Sequence, residues 1–118
     1  MIPVVLLAAA LTTILPTTTM QLSCDGKYDD IVRDIHDVHW GEFLLELNPT
    51  SLRLSGSPFD GTYEINMASE TELDSIKPGL SISLNRLSGH LGIAESDQVA
   101  SRATRLLDAD CRRATPLF

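Results

Sequence analysis

The stretch Leu80-Ser81-Ile82-Ser83-Leu84-Asn85 decides the fold class, because an apolar side chain stands at every second position with a small polar one between. On a strand, successive side chains point to opposite faces, so Leu80, Ile82 and Leu84 share one side and the serines the other. The same period runs on both sides of this stretch. Upstream, Phe43, Leu45 and Leu47 alternate with Glu42 and Glu46, Leu52 and Leu54 with Ser51, Arg53 and Ser55, and Tyr63, Ile65 and Met67 with Thr62, Glu64 and Asn66. A weaker strand covers residues 70–76, and Leu91 and Ile93 follow downstream. Asn48-Pro49, the Gly/Pro-rich residues 56–61, Pro78-Gly79 and Ser88-Gly89 break these runs at regular intervals, as turns do.

Short strands at this spacing indicate an antiparallel meander with one apolar and one solvated face. The expected class is therefore mainly β, with α+β as the alternative: a small sheet or barrel of five to seven short strands and one N-terminal helix. The helix is read at residues 28–40. Tyr28, Ile31, Val32, Ile35, Val38 and His39 recur at three- and four-residue steps, with Asp29, Asp30, Arg33, Asp34 and Asp37 opposite and Gly41 as the stop. Such a helix would cover the apolar face of the sheet. Residues 96–110 fit either a helix capped by Ser96 or a loop followed by a strand; we favour the second.

The charges are distributed very unevenly. None of the 25 charged residues lies before Asp25, and residues 4–15 are apolar apart from Thr12 and Thr13, with Pro16 at the end. That length suits the apolar segment of an export signal and falls short of the roughly 20 residues that span a bilayer. The alternatives are a buried core helix or a short membrane anchor. The reading adopted is a signal peptide over residues 1–23 and a mature domain over 24–118, periplasmic or secreted, with no stable membrane span after cleavage. Small residues at Thr17 and Thr19 could serve a signal peptidase. Acylation of Cys24 is a further alternative, although Gln21-Leu22-Ser23 matches the required small apolar consensus poorly.

A domain of about 95 residues buries only around two thirds of its unfolded surface, so its stability is marginal. Cys24 and Cys111, near the two ends of that domain, would pair in an oxidising compartment. Two unrelated buried thiols are the alternative. Cysteine metal or redox motifs need a second cysteine at short spacing, which is absent.

A formal net charge of −7 opposes nucleic-acid binding, which needs a basic face. No dinucleotide or phosphate-loop glycine pattern is present, and no cofactor is implied. His36 and His39, with Asp34 and Asp37 nearby, are weak metal candidates, since on a helix the two imidazoles would lie about 60° apart. His39 falls on the apolar face, where a hydrogen-bonded core histidine is the ordinary outcome. Ser88 and His90 would share a strand face, but no nucleophile elbow accompanies them. Glu42/Glu46 and Glu70/Glu72 read as solvated positions, so no catalytic residue is assigned. The most distinctive polar cluster is Asn85-Arg86-x-Ser88-Gly89. It is either a strand-ending turn with Gly89 at positive φ and Arg86 paired with a carboxylate, or a partner-facing loop anchored by Arg86.

Cys24-x-Gly26, Asn85-Arg86-x-Ser88-Gly89 and Cys111-x-x-Ala114-x-x-x-Phe118 resemble a loose group of small exported bacterial proteins. In that group a strand ends in Asn/Asp-Arg-x-Ser/Thr-Gly and a late Cys precedes a C-terminal Phe. The resemblance covers most of the chain after residue 24 and implies export, a β-rich fold and the disulfide, with no catalytic residue. The uncharged start and the Asp-rich segment 29–37 depart from it. The expected function is that of a non-enzymatic binding or structural protein of the cell envelope, acting on an unknown protein or envelope component. An inhibitor of an envelope or extracellular enzyme such as a lysozyme, and a divalent-metal protein, are the alternatives.

Overall fold

The computed structural model describes residues 19–114, so most of the export signal read at 1–23 lies outside the described residues. Nine antiparallel strands form one sheet: β1 (Met20–Asp30), β2 (Ile35–Leu47), β3 (Ser51–Ser55), β4 (Gly61–Glu64), β5 (Met67–Ala68), β6 (Glu72–Lys77), β7 (Leu80–Asn85), β8 (His90–Asp97) and β9 (Arg102–Arg113). Their order is β4-β3-β2-β1-β9-β8-β7-β6-β5. Every neighbour is the next strand in sequence except β1 and β9, which join the two ends of the chain.

This order forces the sheet to curl. Eight interstrand steps would set β4 and β5 about 38 Å apart in a flat sheet. Only Ile65 and Asn66 separate them, a connection that reaches about 10 Å. The sheet therefore bends into a half-barrel, with Ile65 N donating to Thr50 O on one side and Asn66 N to Asp74 O on the other. The Asn66 side chain continues the pairing beyond β5: its Nδ2 donates to Ile76 O and its Oδ1 accepts from Ile76 N.

The alternation set by the sequence fills the inside. Leu45, Leu47, Leu52, Leu54, Leu73, Ile82, Leu84, Leu91, Ile93 and Leu107 are all buried in one apolar cluster. At Gly26 the inner face pinches. A Cβ there would overlap the carbonyl oxygen of Asp108 and the side chain of Ala109, its cross-strand partner. Phe59 enters from the β3–β4 loop and is also buried.

The expected N-terminal helix is corrected: among the described residues there is no helix, and nine strands replace the five to seven. Residues 28–40 form the end of β1, a turn at 31–34 and the start of β2. The helical spacing misled because Ile31, Val32 and Val38 do not belong to any buried face; all three are exposed. β2 also bulges against β1 between Tyr28 and Asp30, which disturbs the two-residue period. Residues 96–110 resolve as the loop-and-strand alternative. β8 runs to Asp97, a turn occupies 98–101, and β9 carries Cys111 to a position opposite Cys24.

Candidate functional site

Cys24 and Cys111 are bridged, with Cα atoms 4.0 Å apart and 87 residues between them in sequence. Closing so long a loop removes roughly 4–5 kcal/mol of denatured-state entropy in the chain-entropy model. The bridge joins β1 to β9, the one sheet contact that links the ends of the chain.

The Asn85–Gly89 cluster meets this bridge from the β7–β8 turn. Asn85 Oδ1 accepts from the amides of Leu87 and Ser88, at 2.9 and 3.0 Å. Gly89 N donates to Asn85 O, and Gly89 O accepts from Cys111 N at 2.8 Å. Gly89 has φ +79, and a Cβ there would overlap the Cys111 carbonyl oxygen. Glycine is needed on both counts. Arg86 donates from Nη1 to Ser69 O, and its amide donates to Thr71 O. The motif thus fastens the turn to β9 and to the β5–β6 loop; Leu87 projects, 78% exposed, and Asn85 and Ser88 also lie at the surface.

The histidines lie apart from any shared centre. His36 Nε2 is 2.8 Å from Asp34 Oδ1, and its Nδ1 is 3.9 Å from Asp29 Oδ1. His90 repeats the pattern, with Nε2 3.0 Å from Asp108 and Nδ1 3.5 Å from Asp110. In each case the carboxylates flank opposite ring nitrogens, so one ion could not take all three groups. Among the described residues no set of three His, Cys, Asp or Glu is placed to hold a metal. His39 is exposed, contrary to the buried position a helical face would give it. Ser88 Oγ accepts from the backbone amide of His90, while the His90 ring turns toward Asp108 and Asp110.

The opposite end of the half-barrel from Asn85–Gly89 is closed by a group the alternation pattern did not single out. The β3–β4 loop folds inward so that Phe59 packs edge-on against Tyr28, with ring centroids 6.2 Å apart. The Arg105 guanidinium lies 4.4 Å over the Phe59 ring and donates from Nη1 to Pro58 O. Glu95 holds Arg105 in a two-pronged pair, Nε–Oε1 2.8 Å and Nη2–Oε2 2.6 Å. Hydrogen bonding to Arg105 keeps the Glu95 carboxyl below its ordinary value, and the same bond raises Arg105 further. Trp40 Nε1 donates to Gly56 O, and Tyr63 Oη to Phe59 O. Burial pushes Tyr63 up, which keeps this phenol a donor. Burial also works upward on Asp60, but the amides of Ser57 and Gly56 and the Ser57 hydroxyl outweigh it and hold its carboxyl low. An aromatic residue between Pro58 and Asp60 in a turn was the available signal for this loop.

Beyond that closure project two neighbouring hairpin tips. β1 and β9 run antiparallel with Asp30 opposite Arg105, and Ile31 N donates to Thr104 O, so the β1–β2 and β8–β9 turns sit side by side. Ile31, Val32 and Val38 are 40%, 77% and 39% exposed, and Val99 in the second turn is 97% exposed. Asp34, Asp37 and Ser101 have positive φ, and they are all of the non-glycine residues so placed among those described. Hydrogen bonds hold this shape: Asp37 N donates to Asp29 Oδ1 at 2.7 Å, and Val99 N to Asp97 Oδ1 at 2.9 Å. Compared with known proteins, the chain matches no family model, no curated protein and no solved structure.

Proposed function

We propose that this chain is an exported, non-enzymatic protein that binds a protein or envelope component outside the cytoplasm, in the periplasm or beyond. The observation that carries this reading is the Cys24–Cys111 bridge, which is compatible with an oxidising compartment. The apolar, uncharged residues 4–15 ahead of β1 support it as an export signal. Because Met20 to Ser23 already pair with residues 44–47, a cut after residue 23 would remove the first third of β1. A cut after Thr19, where Thr17 and Thr19 offer small side chains, leaves the strand whole. Among the described residues no helix is long and apolar enough to cross a membrane.

Fractionation combined with mass spectrometry under non-reducing conditions tests the proposal. The expected product lies outside the cytoplasm, begins near Met20 and lacks two hydrogens. Full-length protein in the cytosol with both thiols reduced would overturn it, and a lipid adduct on Cys24 would replace the bridge. Inhibition of an extracellular enzyme is the second reading, favoured by the projecting apolar and acidic hairpin tips.

A further inference from the structure

We infer that the paired tips of the β1–β2 and β8–β9 hairpins form a docking surface for a globular protein with a basic face. The inference rests on the binding-protein reading above and gives it a place and a partner chemistry.

Exposed apolar side chains scattered singly need no explanation, but these are gathered. Among the described residues, four of the seven large hydrophobics left exposed are Ile31, Val32, Val38 and Val99, all on the two neighbouring hairpins. Beside them on the first hairpin, Asp29, Asp34 and Asp37 reach the surface against the single Arg33, which is drawn toward the buried Asp30 at 3.7 Å. The second hairpin adds Asp97 and Arg102, so the two tips together are net acidic, and an apolar centre inside a polar rim is the usual composition of a protein contact.

The sign of the rim selects the occupant. Nucleic acid and anionic lipid would be repelled by it. A second copy of this chain seated tip to tip would bring the same aspartates together, which disfavours self-association. A basic protein surface meets both requirements, since its charge complements the rim and its contact buries the valines. The surface is also preformed. The left-handed backbone at Asp34 and Asp37 is fixed by local hydrogen bonds, so little ordering entropy remains to be lost there on contact.

The test uses the oxidised protein as isolated, with lysozyme and cytochrome c as basic globular probes and oligolysine as charge without shape. Calorimetry measures affinity and amide chemical shifts map the contact. The expected result is saturable, salt-sensitive binding to a globular probe, with shifts confined to residues 29–38 and 97–103. Val32→Ser should weaken it about tenfold, as loss of an apolar anchor does. Asp34→Asn with Asp37→Asn should weaken it by a similar factor, because Asn tolerates the same backbone while removing the charge. Leu87→Ser, equally exposed at the far end of the molecule, should leave affinity unchanged. Absence of binding to both proteins, equal binding to oligolysine, a contact mapped elsewhere, or an equal effect of Leu87→Ser would each overturn the inference. Failure here leaves the compartment and the bridge standing, since fractionation decides those separately.

Discussion

Two turns at opposite ends of the half-barrel, 85–89 and 31–34, divide the work of the molecule between them. The first carries the most distinctive polar motif in the sequence, yet its groups bond within the protein: Asn85 to its own loop, Gly89 to Cys111, Arg86 to Ser69. The second carries no recognisable motif, and Val32 at its tip points away from the rest of the protein. A memorable pattern of polar residues can therefore mark a fastening. In the docking proposal, recognition falls instead to side chains for which the fold has no use.

Four substitutions or conditions probe this contrast. Gly89→Ala should do the most damage, about 3 kcal/mol in denaturant unfolding, because it combines left-handed strain with overlap on the Cys111 carbonyl. A loss below about 1 kcal/mol would mean that the turn can swing free of β9. Asn85→Ala should cost about 1–2 kcal/mol by freeing two turn amides, both close enough to water to be partly resatisfied. Glu95→Gln should cost about 1 kcal/mol at neutral pH, reduced from a buried-pair value by the partial exposure of both partners. At the free tip, Val32→Ser should stay within about 0.5 kcal/mol in stability, whatever it does to binding.

The acidic response separates the two ends further. Glu95 and Asp60 have depressed folded-state pKa values, so their stabilisation is complete above the ordinary values of 4.5 and 3.8 and is lost as pH falls through the lower folded ones. Hydrogen exchange, corrected for its intrinsic pH dependence, should then rise first at residues 56–60 and 102–105. Residues 85–89 should remain protected. Earlier opening of 85–89 would reverse the assignment of the stable end.

Much of the core was legible because alternation survives wherever one face is buried. Leu45, Leu52, Ile82 and Leu91 all lie where their period places them. The cysteine pair could be read from an expected oxidising compartment and from the places of Cys24 and Cys111 near the two ends of the domain. The first hairpin was not legible. Gly26 occupies an inner position where Ala109 leaves no room for a side chain, and Asp30 is a buried charge, so β1 lacks an apolar rhythm. Ile31, Val32 and Val38 then supplied a false helical one. Their β-branching and the Asp-rich turn were the truer signals. The Phe59 plug and its Arg105–Glu95 clamp depend on residues 47 apart, a proximity created only by the curl of the sheet.

The pairing of β1 with β9 has a consequence for how the chain reaches this shape. All other strand pairs join sequence neighbours and can zip up locally, each at small entropic cost. The first and last strands must find each other across nearly the whole chain, a search that gains its contacts only after the loop has closed. This topology favours an order in which the hairpins form first and the β1–β9 seam closes last, bringing the two sulfurs together at the end.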